Sequence, residues 1–214
     1  MTKLMMLSAG AVVAAALVAG CGNEAADKSE GAANTPSTSA SASAPAAGEV
    51  HNDADVMFAQ HMIPHHQQAV EMSDVLLAKQ GIDARVTELA TQIKGAQAPE
   101  IEQMQGWLKQ WGNPPMPPMP QQGHGDVGHG NMGEMPAMQG MVSETDMTAL
   151  RNAQGAEADK LYLTHMIAHH EGAITMAQDE IKDGQYPAAV EMARTIVKTQ
   201  QQEIDTMRQI LGSL

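Results

Sequence analysis

The chain has 214 residues, a formal net charge of −13 and a single cysteine. Because it has no basic stripe that could neutralise phosphates, the acidic balance argues against nucleic-acid binding. The aromatic residues are only one Phe, two Tyr and two Trp, so Leu, Ile, Val, Ala and Met have to build the core. This composition suits closely packed helices.

Residues 1–20 have the composition of a secretory signal peptide. A basic start at Lys3 precedes an apolar run over residues 4–18, which is shorter than the ~20 residues of a membrane-spanning helix. Val18-Ala19-Gly20-Cys21 then resembles the lipobox of bacterial lipoproteins. The resemblance implies cleavage before Cys21, a lipid anchor on that cysteine and a location on the extracytoplasmic face of the membrane. The alternative is an ordinary signal peptide with an incidental cysteine.

Residues 21–50 are rich in Ala, Ser, Thr, Pro and Gly and carry almost no large apolar side chains. Such a segment cannot bury enough surface to offset the entropy of ordering it, so we expect a disordered tether. At ~5–6 Å times the square root of its length, the tether holds the folded domain roughly 30 Å from the membrane on average. If Cys21 is acylated, no thiol remains for catalysis, a disulfide or a metal.

Two helices are predicted in the first part of the folded domain, residues 51–112. Helix one begins at Asp53 or Asp55, each a plausible N-cap, and runs to about residue 79, before Gly81. Helix two begins at Asp83 and runs to about residue 110, where Gly112-Asn113-Pro114-Pro115 stops it.

The second part, residues 143–214, follows a linker over residues 113–142. Ser143 followed by Asp146 resembles a capping box and starts a short helix that Gly155 interrupts. Helix three covers about residues 157–182, and helix four begins at Pro187, well placed in a first turn, and runs to about residue 211. No stretch alternates with period two for long enough to form a strand.

A six-residue pattern, His-Met-x-x-His-His, occurs once in each part. The copies are His61-Met62-Ile63-Pro64-His65-His66 and His165-Met166-Ile167-Ala168-His169-His170. Aligning them carries Phe58 onto Tyr162 and Met72 onto Met176. The protein is therefore a tandem duplication of one helical hairpin. We predict an all-α, antiparallel four-helix bundle built from the two duplicated hairpins.

The repeated motif places imidazoles and thioethers on one face of each helix. At about 100° per residue, His61, His65 and Met72 fall within roughly a 40° arc, with Met62 and His66 on the flank beside it. Imidazoles at i and i+4 can share one metal ion, a spacing that helical metal sites commonly use. The second copy offers the same set of candidate ligands: His165, Met166, His169, His170 and Met176.

Helices two and four carry a matching stripe in which an amide and a carboxylate interrupt an apolar face. The stripe contains Gln97, Glu100 and Met104 in the first hairpin and Gln200, Glu203 and Met207 in the second. Since buried polar groups need partners, we expect both carboxylates either to ligate a metal or to accept the N–H of histidines on helices one and three. A buried His–Glu network without metal is the alternative.

The linker is rich in soft potential ligands, although its Gly-rich sequence cannot form a packed core. These residues are Met116, Met119, His124, His129, Met132, Met135, Met138 and Met141. Thioethers favour Cu(I), and imidazole accepts Cu(I), Cu(II) or Zn(II), whereas neither ligand suits Mg or Ca. Copper, with Cu(I) favoured, is therefore the predicted metal. Low-complexity bias is the alternative explanation of this composition.

The motifs together resemble a known family. The paired His-Met-x-x-His-His motifs, with Gln-x-x-Glu-Ile-x-x-Met starting at Gln97 and at Gln200, resemble domain of unknown function 305, a family of bacterial extracytoplasmic proteins. The resemblance covers about residues 53–211. It implies a ferritin-like four-helix bundle, and it implies copper binding because the CopM-type members are periplasmic copper-binding proteins linked to copper resistance.

The sequence thus predicts a lipid-anchored, extracytoplasmic copper-binding protein that acts in copper buffering, delivery or resistance rather than as an enzyme. Such a role leaves room for a copper-transfer partner. A di-iron oxidase of the ferritin type is a rival, but its sites need Glu-x-x-His, which does not occur in this chain. A metal-free structural or partner-binding bundle is the third interpretation.

Overall fold

The computed structural model describes residues 50–114 and 139–214, which form five helices. The helices are α1 (Asp53–Leu77), α2 (Ala84–Trp111), α3 (Glu144–Asn152), α4 (Gly155–Asp183) and α5 (Pro187–Leu211). No strand occurs within these two described ranges, so the predicted all-α class is confirmed. None of the helices in them is long and apolar enough to cross a membrane. The predicted signal peptide, Cys21, the tether up to residue 49 and linker residues 115–138 lie outside the described residues.

Side-chain capping explains where α1 begins, whereas among the described residues no side-chain hydrogen bond caps α4. The N-cap of α1 is Asn52, and the prediction of Asp53 or Asp55 was wrong. The Asn52 side chain accepts a hydrogen bond from the Asp55 N–H, and the Asp55 carboxylate accepts one from the Asn52 N–H, at 3.1 and 2.6 Å. This reciprocal capping box satisfies two amides at once, which a cap at Asp55 could not do. Gly155 opens α4 rather than interrupting a helix, so α4 starts before the predicted Glu157.

The other predicted helix starts agree with the structure. Asp83 caps α2 by accepting a hydrogen bond from the Arg85 N–H, and Ser143 caps α3 in the same way. Helix α5 runs from Pro187 as expected. Gly112 ends α2 in the left-handed conformation, with φ of +73°, which glycine adopts without a steric penalty.

Two hairpins and one central contact make up the bundle. Helix α1 packs along α2, and α4 packs along α5, while α1 and α4 pack against each other and join the hairpins. Helices α1 and α4 run in opposite directions, because Asn52 near the start of α1 donates to the Asp183 carbonyl at the end of α4. At the other end, Lys79 donates to the Ala153 carbonyl just before α4. The short helix α3 lies against α1 and α4.

The two halves exchange core residues as a two-fold repeat would require. One apolar cluster combines Met62 and Met104 of the first half with Met176 of the second. The other combines Met166 and Met207 of the second half with Met72 of the first. Each hairpin therefore completes the core of the other, since neither can bury its apolar face alone.

Matched aspartates in α1 and α4 hold the turn of the opposite hairpin. Asp55 accepts hydrogen bonds from the Gln185 and Tyr186 N–H groups in the turn between α4 and α5, at 3.0 and 2.8 Å. Asp159 accepts one from the Asp83 N–H in the turn between α1 and α2, at 3.2 Å. Each carboxylate thus satisfies amides that would otherwise lose their partners on burial.

Glu180 breaks this symmetry. The alignment that pairs the histidine motifs pairs Glu180 with Leu76, and both residues are buried. Burial, reinforced by the nearby carboxylate of Asp55, raises the pKa of Glu180 to about 9. A carboxyl group with this pKa keeps its proton in the folded protein at neutral pH.

The raised pKa predicts a pH-dependent contribution to stability. In the unfolded chain Glu180 ionises near its ordinary pKa, whereas in the folded protein it keeps its proton up to about pH 9. Between these two values folding requires the uptake of a proton, so the free energy of unfolding falls as the pH rises. We expect Glu180→Leu to increase the free energy of unfolding by about 1–3 kcal/mol at pH 8 and by less at pH 5. Urea unfolding of both proteins from pH 5 to pH 9 measures the difference.

Glu102 on α2 is exposed, so Glu102→Leu is the matched control and should show no such trend with pH. If the difference between Glu180→Leu and wild type does not change with pH, the assignment of a proton to Glu180 is wrong.

Candidate metal centre

Four buried histidines lie where α1 and α4 meet. His65 and His66 on α1 and His169 and His170 on α4 are each at most 1% exposed. The rings of His65 and His169 are in contact, with their centroids 3.7 Å apart and their planes tilted by 37°. Because these two residues occupy matched positions in the repeat, their contact lies at the approximate two-fold axis. We refer to these four residues as the histidine cluster.

A carboxylate on the neighbouring helix holds one histidine in each half. His66 Nε2 lies 2.8 Å from Glu100 Oε2, and His170 Nε2 lies 2.7 Å from Glu203 Oε2. Of the two roles predicted for Glu100 and Glu203, the structure shows the contact with a histidine, while direct ligation of a metal stays a prediction. A carboxylate only accepts, so Nε2 of each ring donates the proton. In a neutral imidazole this leaves Nδ1 as the atom with a free lone pair.

His65 is held in the same way by a backbone group. Its Nε2 donates to the Gln139 carbonyl at 3.1 Å, which again leaves Nδ1 with the lone pair. Gln139 stands near the end of the predicted linker, 74 positions from His65. This contact is not predictable from the sequence, because no pattern of residue types indicates which backbone carbonyl a distant imidazole reaches.

Several polar atoms in and around the cluster find no partner among residues 50–114 and 139–214. They are Nδ1 of His65, His66 and His170, both ring nitrogens of His169, both amide atoms of Gln97 and Oε1 of Gln200. Most buried polar groups in proteins are hydrogen-bonded, so a concentration of exceptions requires an explanation. Five of these atoms are imidazole nitrogens, which are good metal ligands when neutral.

The cluster keeps its central imidazoles neutral. Burial, reinforced by the charges of His66 and His170 and opposed by the hydrogen bond to Gln139, lowers the pKa of His65 to about 3. Burial and then the charges of the other three histidines lower the pKa of His169 well below its usual range. Since only a deprotonated imidazole binds metal, both rings are in the form that coordination requires.

The structure buries a different pair of histidines in each half from the pair that helix geometry grouped together. His61 and His165, one turn before the cluster, are only partly buried, whereas His66 and His170 are fully buried. Helical spacing had put His66 and His170 on the flank. The reason is that α1 lies between α2 and α4, and α4 between α5 and α1, so each helix buries two faces.

The methionines of the repeat lie in the apolar core. Met62, Met72, Met104, Met166, Met176 and Met207 are all buried within the two apolar clusters. Of the linker residues with potential metal ligands, only Met141 falls within the described residues, where it is partly buried. The candidates Met116, Met119, His124, His129, Met132, Met135 and Met138 lie outside them.

In the part of the chain that the structure describes, no group of three or more His, Cys, Asp or Glu side chains is arranged to hold a metal ion. What the cluster offers instead is a pair of neutral imidazoles in ring contact, with two more alongside. In His65 the nitrogen available for coordination is Nδ1, and in His169 neither ring nitrogen has a partner among the described residues. Metals that accept few ligands fit such a site better than metals that need four.

Comparison with known proteins agrees with this architecture. The model of the family "Domain of unknown function (DUF305)" matches residues 55–211. A DUF305 fragment from Deinococcus radiodurans is 32% identical, with a TM-score of 0.64 over 76% of this chain and 98% of that one. A DUF305 protein from Streptomyces coelicolor is also 32% identical, with a TM-score of 0.64 over 75% of this chain and 91% of that one.

CopM in the Cu(I)-bound form is 27% identical, with a TM-score of 0.58 over 74% of this chain and 96% of that one. The same protein is also known in Cu(II)-bound and Ag-bound forms. No protein of curated function matches the chain. Because the family model spans both hairpins and the helical bundle is shared with these solved structures, the chain belongs to the DUF305 family.

Proposed function

We propose that this protein binds copper as Cu(I) at the histidine cluster and acts as a copper buffer or chaperone rather than as an enzyme. The proposal rests on the neutral, buried imidazoles of His65 and His169 and on the five ring nitrogens of the cluster that find no partner among the described residues. A core built only for stability would fill this position with apolar side chains or with paired polar ones. Copper would supply the partner that these nitrogens require.

His65 and His169 are the proposed central ligands, because their rings touch at the approximate two-fold axis and because Nδ1 of His65 and both ring nitrogens of His169 find no partner in the described residues. Nδ1 of His66 and of His170 would be available nearby, while Glu100 and Glu203 fix the orientation of these two rings. His61 and His165 are candidate ligands one turn away, and Met72 and Met176 are candidates on the core side.

Several properties favour Cu(I) over other metals. Imidazole binds Cu(I), Cu(II) and Zn(II), but structural Zn(II) sites are almost always four-coordinate, and the described residues hold no such ready-made group. Cu(I) accepts low coordination numbers, and a buried site shields it from water and oxidants. The related protein CopM is known in Cu(I)-bound, Cu(II)-bound and Ag-bound forms, which supports copper as the metal, while the preference for Cu(I) rests on the ligands and burial of the cluster.

The proposed location rests on the N-terminal sequence. Val18-Ala19-Gly20-Cys21 resembles a lipobox, and a lipid on Cys21 would tether the bundle outside the cytoplasm. The linker methionines would then collect Cu(I) weakly near the membrane and exchange it with the buried site or with a transfer partner. No step of this role requires a catalytic residue.

A metal-free structural role is the second candidate, and the two His–Glu contacts favour it. His66–Glu100 and His170–Glu203 each join the two helices of one hairpin. These contacts alone could account for the second histidine of each motif. They do not account for His65 and His169, whose contact lies between the hairpins.

His169→Leu separates these two functions. The substitution keeps a side chain of similar size and removes two ring nitrogens that have no partner in the described ranges. We expect Cu(I) affinity to fall about 100-fold or more, because even outer-shell changes in metal sites cost 10–100-fold. We expect the free energy of unfolding of the metal-free protein to stay the same or to rise by up to about 1–2 kcal/mol, because the substitution removes unpaired polar atoms from the core. Anaerobic competition with a Cu(I) chelator and urea unfolding measure the two effects.

His51 lies away from the cluster, where it stacks on Trp111, so His51→Leu is the matched control and should leave Cu(I) affinity unchanged. Full Cu(I) affinity in His169→Leu would rule out this residue as a ligand. A large loss of stability without metal would instead support the structural role.

The linker ligands should be separable from the histidine cluster. We expect a protein with Met→Leu and His→Gln changes across residues 115–138 to lose weaker Cu(I) equivalents and to keep the tightest one, because the Gly-rich sequence of this segment predicts that its ligands lose entropy on binding. The chain keeps its length and retains Gln139, so the contact with His65 is preserved. Anaerobic Cu(I) titration gives both stoichiometries. Loss of the tightest equivalent would show that the linker side chains belong to the core site.

A further inference from the structure

The end of the linker is docked over the histidine cluster. We call residues 139–142 the strap. Gly140 approaches α4 so closely that a Cβ on it would lie 2.5 Å from the Ala168 carbonyl oxygen. A Cβ on Gly172 would lie 2.1 Å from the Gln139 carbonyl oxygen and 2.9 Å from Gly140 Cα. The strap therefore packs on α4 through two glycines, and neither position has room for a side chain.

A side chain of α1 holds the other end of the strap. Gln68 donates through Nε2 to the Val142 carbonyl at 2.9 Å, and its Oε1 accepts from the Val142 N–H at 2.8 Å. Both polar ends of the amide are thus used on one backbone residue. Gln68 follows His65 by about one helical turn, so this clamp lies next to the cluster.

The repeat shows that the strap crosses the two-fold axis. The alignment that pairs His65 with His169 also pairs Gln68 with Gly172. One of these equivalent positions clamps the strap, and the other provides the space for it. Only one strap can lie at the axis. The Gln139 carbonyl therefore accepts a hydrogen bond from His65 Nε2, while Nε2 of His169 has no partner in the described part of the chain.

We propose that docking of the strap and binding of Cu(I) at the histidine cluster are thermodynamically coupled. The docked strap holds His65 with the proton on Nε2 and the lone pair on Nδ1, and so raises the affinity of the cluster for Cu(I). Bound Cu(I) fixes the ring and tightens the docking of the strap. This inference rests on the proposed function of the cluster.

Linkage makes the coupling reciprocal. If docking raises Cu(I) affinity by a given factor, saturation with Cu(I) must favour the docked strap by the same factor. The strap continues directly into the chain segment that carries Met116 to Met138. Binding of Cu(I) at the buried site would therefore stabilise the docking of the chain at the end of the methionine-rich linker. In this way the linker could respond to whether the buried site holds copper.

Gly172→Ala tests the coupling without touching a ring nitrogen. The new methyl group collides with the Gln139 carbonyl and Gly140, so the strap has to undock, while alanine favours the helix. Gly106→Ala on α2 is the matched control, since a Cβ there meets nothing within 4 Å. In the full-length protein we expect Gly172→Ala to weaken Cu(I) binding about 10-fold, within the usual range of allosteric coupling, and Gly106→Ala to leave it unchanged. Gln68→Ala, which releases Val142 without adding bulk, should act in the same direction as Gly172→Ala.

Two further readouts distinguish coupling from a general structural effect. Nitrogen-15 NMR of the metal-free protein should show the neutral His65 ring with its proton on Nε2 in wild type. In Gly172→Ala it should show a mixture of the Nε2-protonated and Nδ1-protonated tautomers. Amide exchange at the Val142 N–H should slow when wild type is loaded with Cu(I), whereas exchange at the Ala153 N–H, bonded within α3, should not change.

The outcomes separate the two proposals. If wild type binds no Cu(I), the proposed function fails and the coupling fails with it. If wild type binds Cu(I) tightly and both strap variants bind it equally well, the coupling is overturned and the proposed function stands. Unchanged exchange at Val142 on loading contradicts the coupling even if a variant fails to fold.

Discussion

The contact between His65 and His169 is the constraint around which the two hairpins are arranged. When two copies of one hairpin pack about a two-fold axis, the residues nearest the axis meet their own counterparts, as in a symmetric dimer. Here those residues are imidazoles with their centroids 3.7 Å apart. The apolar clusters on either side exchange methionines between the halves, and the matched aspartates hold opposite turns.

Burying histidines at this axis lowers the stability of the metal-free fold, and other interactions in the bundle have to offset this loss. Their ring nitrogens are removed from water, and five of them find no partner within the described residues. Such groups destabilise a fold by about 1–3 kcal/mol each when they are left unpaired. Apolar packing on both sides of the cluster offsets this cost. Functional sites commonly have this character, because the groups that bind a ligand are not the groups that best stabilise the free protein.

Much of the architecture was predictable because it follows from local signals. Ser143 and Asp83 mark helix starts by side-chain capping, and the doubled motif revealed the two hairpins and the partnership of Glu100 and Glu203 with histidines. The remainder depends on contacts between distant residues. Helical spacing alone could not show that α1 is covered on two sides, and therefore that His66 is buried, nor that the Gln139 carbonyl reaches His65. The raised pKa of Glu180 depends in the same way on its burial between helices and on Asp55 from another helix.

X-ray absorption spectroscopy of the protein loaded anaerobically with one equivalent of Cu(I) tests whether the buried histidines bind the metal, since it distinguishes nitrogen from sulfur ligands. The linker should carry leucine and glutamine in place of its methionines and histidines, so that only the bundle binds. If Cu(I) binds at the histidine cluster, the spectrum shows at least two imidazole ligands, and this signature is lost in His169→Leu. Coordination by sulfur alone would contradict this assignment, because the methionines of the core would then be the copper site and the buried histidines would have a structural role.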